Sequence, residues 1–402
     1  MLSDNDEVIV VPRTARSVRR ISKLLTMRSL RDARGGLFAP VRMTCWIGLL
    51  MLGTGCKERP ALGGRGDTAE SAVGEKRAPG GELAYVTNED GQDLTVIDTR
   101  TDSVVATIPV GTRPRGVKVS PDGRTVYVAL SGSPKCPPSM PDEECEKLKA
   151  DKTKDGIAEV DVVARRVRRV LPGGSDPEQF DISSDGKRLY ISNEDAGSAS
   201  IVDVQKGTID TTVKVGAEPE GVRISPDGKT VYVTAESDTS IRVLDATSGA
   251  VKARIKVDRR PRDVAFTPDG KRAYATAEVG GTVSVIDVPA NRVTATIKLP
   301  PDAKPMGVRV SPDAQRVYVA TGRGGTVVVI DPATNKILGS IKVGQRPWGI
   351  ALTRDGKKLY TANGPSNDVT VVDTDKLTAI ATVPVGKIPW GVAIGPAPET
   401  EP

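Results

Sequence analysis

From residue 83 onward the chain alternates apolar and polar residues in short runs. The segment after Pro219 shows the pattern: Gly221–Ser225 (GVRIS), Thr230–Ala235 (TVYVTA), Ser240–Asp245 (SIRVLD) and Ala250–Val257 (AVKARIKV). Alternation at period two, rich in Val, Ile, Thr and Tyr, predicts short β-strands, and no helical period appears. Between the first two runs stands Ser225-Pro226-Asp227-Gly228. It recurs as Ser120-Pro121-Asp122-Gly123, Thr267-Pro268-Asp269-Gly270 and Thr353-Arg354-Asp355-Gly356. Pro presets φ and Gly supplies a positive φ, so the tetrapeptide predicts a hairpin turn.

The pattern is one unit repeated seven times. Tyr85, Tyr127, Tyr190, Tyr232, Tyr274, Tyr318 and Tyr360 lie 42, 63, 42, 42, 44 and 42 residues apart. Pro114, Pro177, Pro219, Pro261, Pro305, Pro347 and Pro389 repeat with the same unit. Four strands in about 42 residues, repeated, is the pattern of a β-propeller blade. The first unit opens on its second strand, Leu83–Asn88, and the last closes on a first strand, Gly391–Gly395. These ends complete one blade between them and leave no open edge. The expectation is an all-β, seven-bladed β-propeller with four-stranded antiparallel blades. Its ring is closed by N-terminal strands pairing with the C-terminal strand, over residues 83–396.

Tyr85-Val86-Thr87-Asn88, Tyr232-Val233-Thr234 and Tyr318-Val319-Ala320 are each followed by a strand ending in V-(I/L)-D. These motifs resemble the YVTN-type β-propeller family, which includes surface-layer and other extracytoplasmic proteins. That family is similar in fold to the cytochrome d1 propeller of nitrite reductases. The resemblance covers all seven repeats. It implies the fold and leaves function open, because propellers carry many functions.

The N-terminal part follows another logic. Arg28, Arg31, Arg34 and Arg42 precede a short apolar run, Cys45 to Gly53, about half the roughly 20 residues that span a bilayer. A basic region, an apolar stretch and small residues form a secretory signal. The stretch ends at Cys56 and resembles a bacterial lipobox, although Gly53 stands where that motif usually has Leu. Residues 1–55 are expected to be a targeting segment, with Met27 or Met43 as alternative starts. Cys56 is the expected lipidation site, and plain secretion or an uncleaved segment are the alternatives. Residues 56–82 are polar, mixed in charge and without an apolar period, as in a flexible tether. Residues 397–402 form a tail.

Composition narrows the chemistry. The chain has no histidine, which excludes Ser-His-Asp and Cys-His catalysis and the usual zinc and haem ligation. Seven-bladed lactonases and streptogramin lyases generally bring His into their sites, so that likeness does not carry over. The net charge of +6 is concentrated at one end. Residues 1–55 hold nine Lys/Arg and four Asp/Glu, leaving the rest nearly neutral. A nucleic-acid partner is not expected. The turn Asp residues are too sparse for a calcium loop and fit turn chemistry. No metal site or cofactor is predicted.

The residue after each repeat Pro opens an innermost strand, which lines the channel of a propeller. Around the ring these are Arg115, Glu178, Glu220, Arg262, Met306, Trp348 and Trp390. Three positions on come Lys118, Asp181, Arg223, Ala265, Arg309, Ala351 and Ala393. The predicted site is therefore asymmetric, one arc charged and the other carrying Trp over Ala. Aromatics beside small residues suit stacking, and Arg suits carboxylates. The other reading is that the Trp fill a channel end and the charges pair with each other. Glu178 and Glu220 share a slot in adjacent blades, with Arg115 and Arg262 expected to hold both ionised.

The insertion 131–155 carries Cys136 and Cys145, which in an exported protein predict a disulfide. It is either the partner-specific element or a neutral insertion. Together these features predict a non-catalytic, monomeric binding or scaffold protein of the cell envelope, periplasmic or surface-exposed. It would meet the membrane through its lipid anchor only. Its partner would be a protein, or a small anionic or glycan ligand, at the channel mouth or the insertion. The alternative is an enzyme, or a propeller supporting a redox cofactor, using Arg, Glu and Asp at the mouth.

Overall fold

A computed structural model describes residues 81–398, apart from 136–139 and 146 and the side chains of Asp142 and Cys145. Cys56, the targeting segment, nearly all of the tether and the predicted disulfide lie outside the described residues.

The described chain forms seven four-stranded antiparallel sheets. The first blade joins Pro389–Pro396 to Glu82–Asn88, Asp93–Asp98 and Ser103–Pro109. Tyr85 lies opposite Ala393, and Val86 opposite Val392. This is the predicted closure, and it satisfies both edges that the chain ends would otherwise leave open. The inner strands of the second to seventh blades are Val117–Val119, Pro177–Ile182, Pro219–Ile224, Pro261–Phe266, Val308–Val310 and Pro347–Leu352.

The core lies between blades rather than within them. Seven apolar clusters each combine residues of two neighbouring blades. Each cluster contains one repeat tyrosine, and none of the seven is more than 5% exposed. A tyrosine gives a large apolar body and a hydroxyl that must be satisfied. Tyr190 donates to the Ala246 carbonyl at 3.0 Å, Tyr232 to Asn291 at 3.0 Å, and Tyr360 to Asp102. Each of these partners belongs to the next blade, so the residue that wedges an interface also ties it.

The turns follow one construction. Ser120 donates to the Asp122 carboxylate at 2.5 Å, which also accepts the Arg124 amide at 3.0 Å. Asp185, Asp227, Asp269, Asp313 and Asp355 repeat the arrangement. These carboxylates are engaged within their own turns. The insertion is pinned at its base. The Asp151 amide donates to the Gly132 carbonyl at 2.9 Å, and the Gly132 amide donates to the Asp155 carboxylate at 2.7 Å. Lys135 pairs with Glu89 at 2.9 Å and Asp90 at 2.8 Å, and Lys152 pairs with Asp195. The first, second and third blades are stitched together on that rim.

One turn breaks the rule. Ser311-Pro312-Asp313-Ala314 places alanine at φ +57°, where Gly123 and Gly228 sit at +70° and +71°. The Cβ of an L-residue is strained there. Ala314→Gly is expected to raise stability by roughly 0.5–1 kcal/mol, read as a higher urea midpoint with unchanged slope.

Candidate functional site

Local chemistry positions the channel residues. In the first blade the Gly391 amide donates to the Thr87 hydroxyl at 2.9 Å, and that hydroxyl donates to the Arg115 carbonyl of the next blade at 2.6 Å. Ser192, Thr234 and Thr276 make the same relay to the carbonyls of Glu220, Arg262 and Met306. Ala362 fills this slot in the seventh blade, and Ala129 and Ala320 fill it in the second and sixth. There the Gly116 and Gly307 amides donate directly to the carbonyls of Glu178 and Trp348, at 3.1 and 3.2 Å. A Cβ on either glycine would lie within 2.8 Å of that carbonyl oxygen. Close approach therefore requires glycine. Six of the seven residues after the repeat Pro are thus held through their backbone.

These seven residues cluster at the front face, where the inner strands begin. Arg115 pairs with Asp176 at 2.5 Å, with Glu178, and with Glu194 at 3.5 Å. Arg262 pairs with Glu220 at 2.8 Å and with Glu236, while Arg260 bridges Glu236 at 2.6 Å and Glu278 at 3.4 Å. Glu89, Glu194, Glu236 and Glu278 were not singled out from the sequence, yet all stand four positions after a repeat Tyr. That shared slot was a readable signal. Asp176 precedes a repeat Pro and gives no comparable one.

The expectation that Arg115 and Arg262 hold Glu178 and Glu220 ionised is corrected. Burial outweighs the arginines. Glu220 is pushed up to about 7, and Glu178 is raised well above the ordinary range, with Glu194 and Glu220 as further negative neighbours.

The other arc is aromatic. Trp348 and Trp390 meet with ring centres 6.2 Å apart and planes tilted by 57°. Such a tilted pair packs edge towards face rather than stacking flat. The Arg346 guanidinium lies 5.0 Å above the Trp348 ring, at cation–π distance. With Met306, Glu220, Arg262 and Arg309, the two Trp enclose a cavity of about 30 Å³, the share of roughly one water. Outward from Arg346, between the sixth and seventh blades, a groove of about 700 Å³ is lined by Arg323, Lys342, Arg346, Ser340, Gln345 and Ser366 among others. No carboxylate lines it. Burial, and then Arg323, lower the Arg346 pKa.

Of the second set, only Arg309 lines the cavity beside the two Trp. Lys118, Asp181, Arg223, Ala265, Arg309, Ala351 and Ala393 lie further along the inner strands, towards the back face. There Lys118, Arg309, Ala351 and Ala393 line a separate cavity of about 350 Å³. The predicted juxtaposition of Trp over Ala is thus resolved into two layers.

Residues 140–398 match the YNCE-like β-propeller family. The chain belongs to this family. No curated protein matches it. Among solved structures, this YNCE-like propeller is similar to hydrazine synthase from Kuenenia stuttgartiensis, at 24% identity over 69% of this chain and 88% of that one, TM-score 0.58. It is also similar to a protein of unknown function from Desulfotomaculum acetoxidans DSM 771, at 17% identity over 78% and 98%, TM-score 0.64. A candidate 6-phosphogluconolactonase from Bacteroides uniformis ATCC 8492 matches at 19% identity over 79% and 100%, TM-score 0.65. At these identities the likeness shows the fold alone.

The raised carboxyl of this YNCE-like propeller gives a measurable signature. A folded-state pKa above the unfolded one adds stability that is complete below the unfolded value, 4.5, and is lost as pH rises through about 7. Glu220→Gln is expected to flatten the fall in thermal midpoint between about pH 5 and pH 8 by the equivalent of more than about 1 kcal/mol. An unchanged pH profile would contradict this assignment.

Proposed function

We propose that this YNCE-like propeller is an exported, non-catalytic binding protein of the cell envelope, anchored through Cys56, that recognises an acidic partner segment on its front rim. The supporting observation is the arc around Trp348. Arg346 stacks on that ring and heads a groove lined by Arg323 and Lys342, with no carboxylate in the lining. Arg and Trp are the residue types that anchor recognition surfaces. Across the mouth, the charged side chains are engaged with one another. The insertion is pinned to the same rim and adds recognition surface beside it.

A catalytic reading has one observation in its favour. Glu220 is held near 7, the poise of an acid–base group. The 6-phosphogluconolactonase description belongs to a protein that shares the fold. Turnover lost in Glu220→Gln is the signature of the catalytic reading.

Calorimetric titration of the full chain with a polyglutamate peptide and a polyuronate tests the binding reading. Arg346→Ala is expected to weaken binding by at least about ten-fold, and Trp348→Ala by a similar factor. Binding unchanged in both variants would remove the rim from consideration. For the anchor, the mature N-terminus is expected to be an acylated Cys56. An unmodified terminus at another residue would end that part of the proposal.

A further inference from the structure

The back mouth carries a separate arrangement. Lys118 of the second blade pairs with Asp181 of the third at 2.9 Å. Arg223 of the fourth blade pairs with Asp263 of the fifth at 3.3 Å, and Arg309 of the sixth pairs with the same carboxylate at 2.8 Å. Asp263 reaches this layer from the slot that is glycine in five other blades. Three cations therefore share two carboxylates.

Neither carboxylate is reserved for its cations. Asp181 also accepts the amides of Ile224 at 3.0 Å and Ile182 at 3.1 Å. Asp263 accepts the amides of Val264 at 2.9 Å and Val308 at 3.2 Å. The layer thus holds an excess of positive charge in a confined channel, where charges act strongly on one another. The protonation equilibria agree in sign. Lys118 is lowered to about 8, first by burial and then by Arg223. Arg309 is lowered to about 10, again by burial and then by Arg223. Burial alone would raise Asp181 and Asp263, yet the neighbouring cations hold both below their ordinary value.

The seventh and first blades place only Ala351 and Ala393 at this level, and there the space opens. The cavity of about 350 Å³ has Lys118, Arg309 and the exposed Arg354 among its lining, and apolar walls that include Val392 and Leu352. That volume is in the range of small-molecule sites. We propose that the back mouth binds a small organic dianion, a dicarboxylate or a phosphorylated acid, held between Lys118 and Arg309 against the wall formed by Ala351 and Ala393. The two cations flanking the alanine wall match two anionic groups, and the wall accepts the carbon skeleton. This site lies at the opposite end of the channel from the rim proposed above and stands on different residues.

Calorimetric titration of the full chain with succinate, and separately with inorganic phosphate, tests it. The expectation is one site for at least one of the two probes. Tighter succinate binding assigns the dicarboxylate class, and tighter phosphate binding the phosphorylated one. Lys118 is charged below about 8. It faces Asp181, Asp263, Arg223, Arg309 and Arg354; the two Asp are held below their ordinary value, and Arg309 is lowered only to about 10. Affinity is therefore expected to fall at least about five-fold between about pH 7 and pH 9.5, and Lys118→Arg should remove that fall. Ala351→Leu fills the cavity without touching a charge and should abolish binding, as should Ala393→Leu, each with an unchanged circular dichroism spectrum. No heat with either probe at about 10 mM overturns the proposal. So does binding that is independent of pH, or that survives both alanine variants in folded form.

Discussion

A single hydroxyl, two residues after the repeat tyrosine, is shared between two blades. It accepts an amide from the inner strand of its own sheet and donates to the carbonyl of the channel residue in the next. Each inner strand is an edge whose outward groups must find partners. The relay gives them partners across the blade boundary rather than within the sheet. Alanine replaces the hydroxyl in three blades, at Ala129, Ala320 and Ala362; in the second and sixth blades the glycine amide makes the bond directly. Those blades have inner strands of three residues, against six or more elsewhere. In both forms the backbone of a channel residue is held by its neighbour. Its side chain is then free to vary without loosening the ring.

That freedom explains the electrostatic contrast between the two ends of the channel. At the front, acidic residues from two slots surround a few arginines, and burial raises the carboxyls that cannot all be paired. At the back, three cations divide two carboxylates, and Lys118 and Arg309 are lowered. Trp348, Trp390 and Met306 belong to the front layer and share a small cavity with Glu220 and Arg262. Seven similar blades thereby build two dissimilar mouths, because the slots that feed each layer are filled independently.

Much of this was legible in the repeat. The tyrosine spacing counted the blades, the truncated first and last units predicted the closure, and the residue after each Pro marked the front layer. Arg115, Glu178, Glu220, Arg262, Met306, Trp348 and Trp390 do gather at one mouth. The second slot was read as part of that mouth, because spacing along a strand carries no height along a channel. Asp263 and the Glu89, Glu194, Glu236 and Glu278 set were missed. They sit in slots filled by glycine, serine or glutamine elsewhere, and they become channel groups only when neighbouring blades close on them. The ionisation of Glu178 and Glu220 was misjudged for a related reason. A flanking arginine can be read from the chain, but desolvation depends on what covers the site.

By itself, the sequence determined the number of blades, their strand pattern, the turn chemistry and the residues that open the inner strands. Those properties follow from period-two alternation, fixed spacing and the φ preferences of Pro and Gly, all local in the chain. Only the tertiary structure decided which carboxylate meets which arginine, which groups burial would neutralise, and at which depth of the channel each slot lies. Burial and pairing depend on contacts between residues from 24 to 61 positions apart, such as Arg113 with Glu89 and Arg115 with Asp176. No local pattern encodes those contacts until the ring is closed.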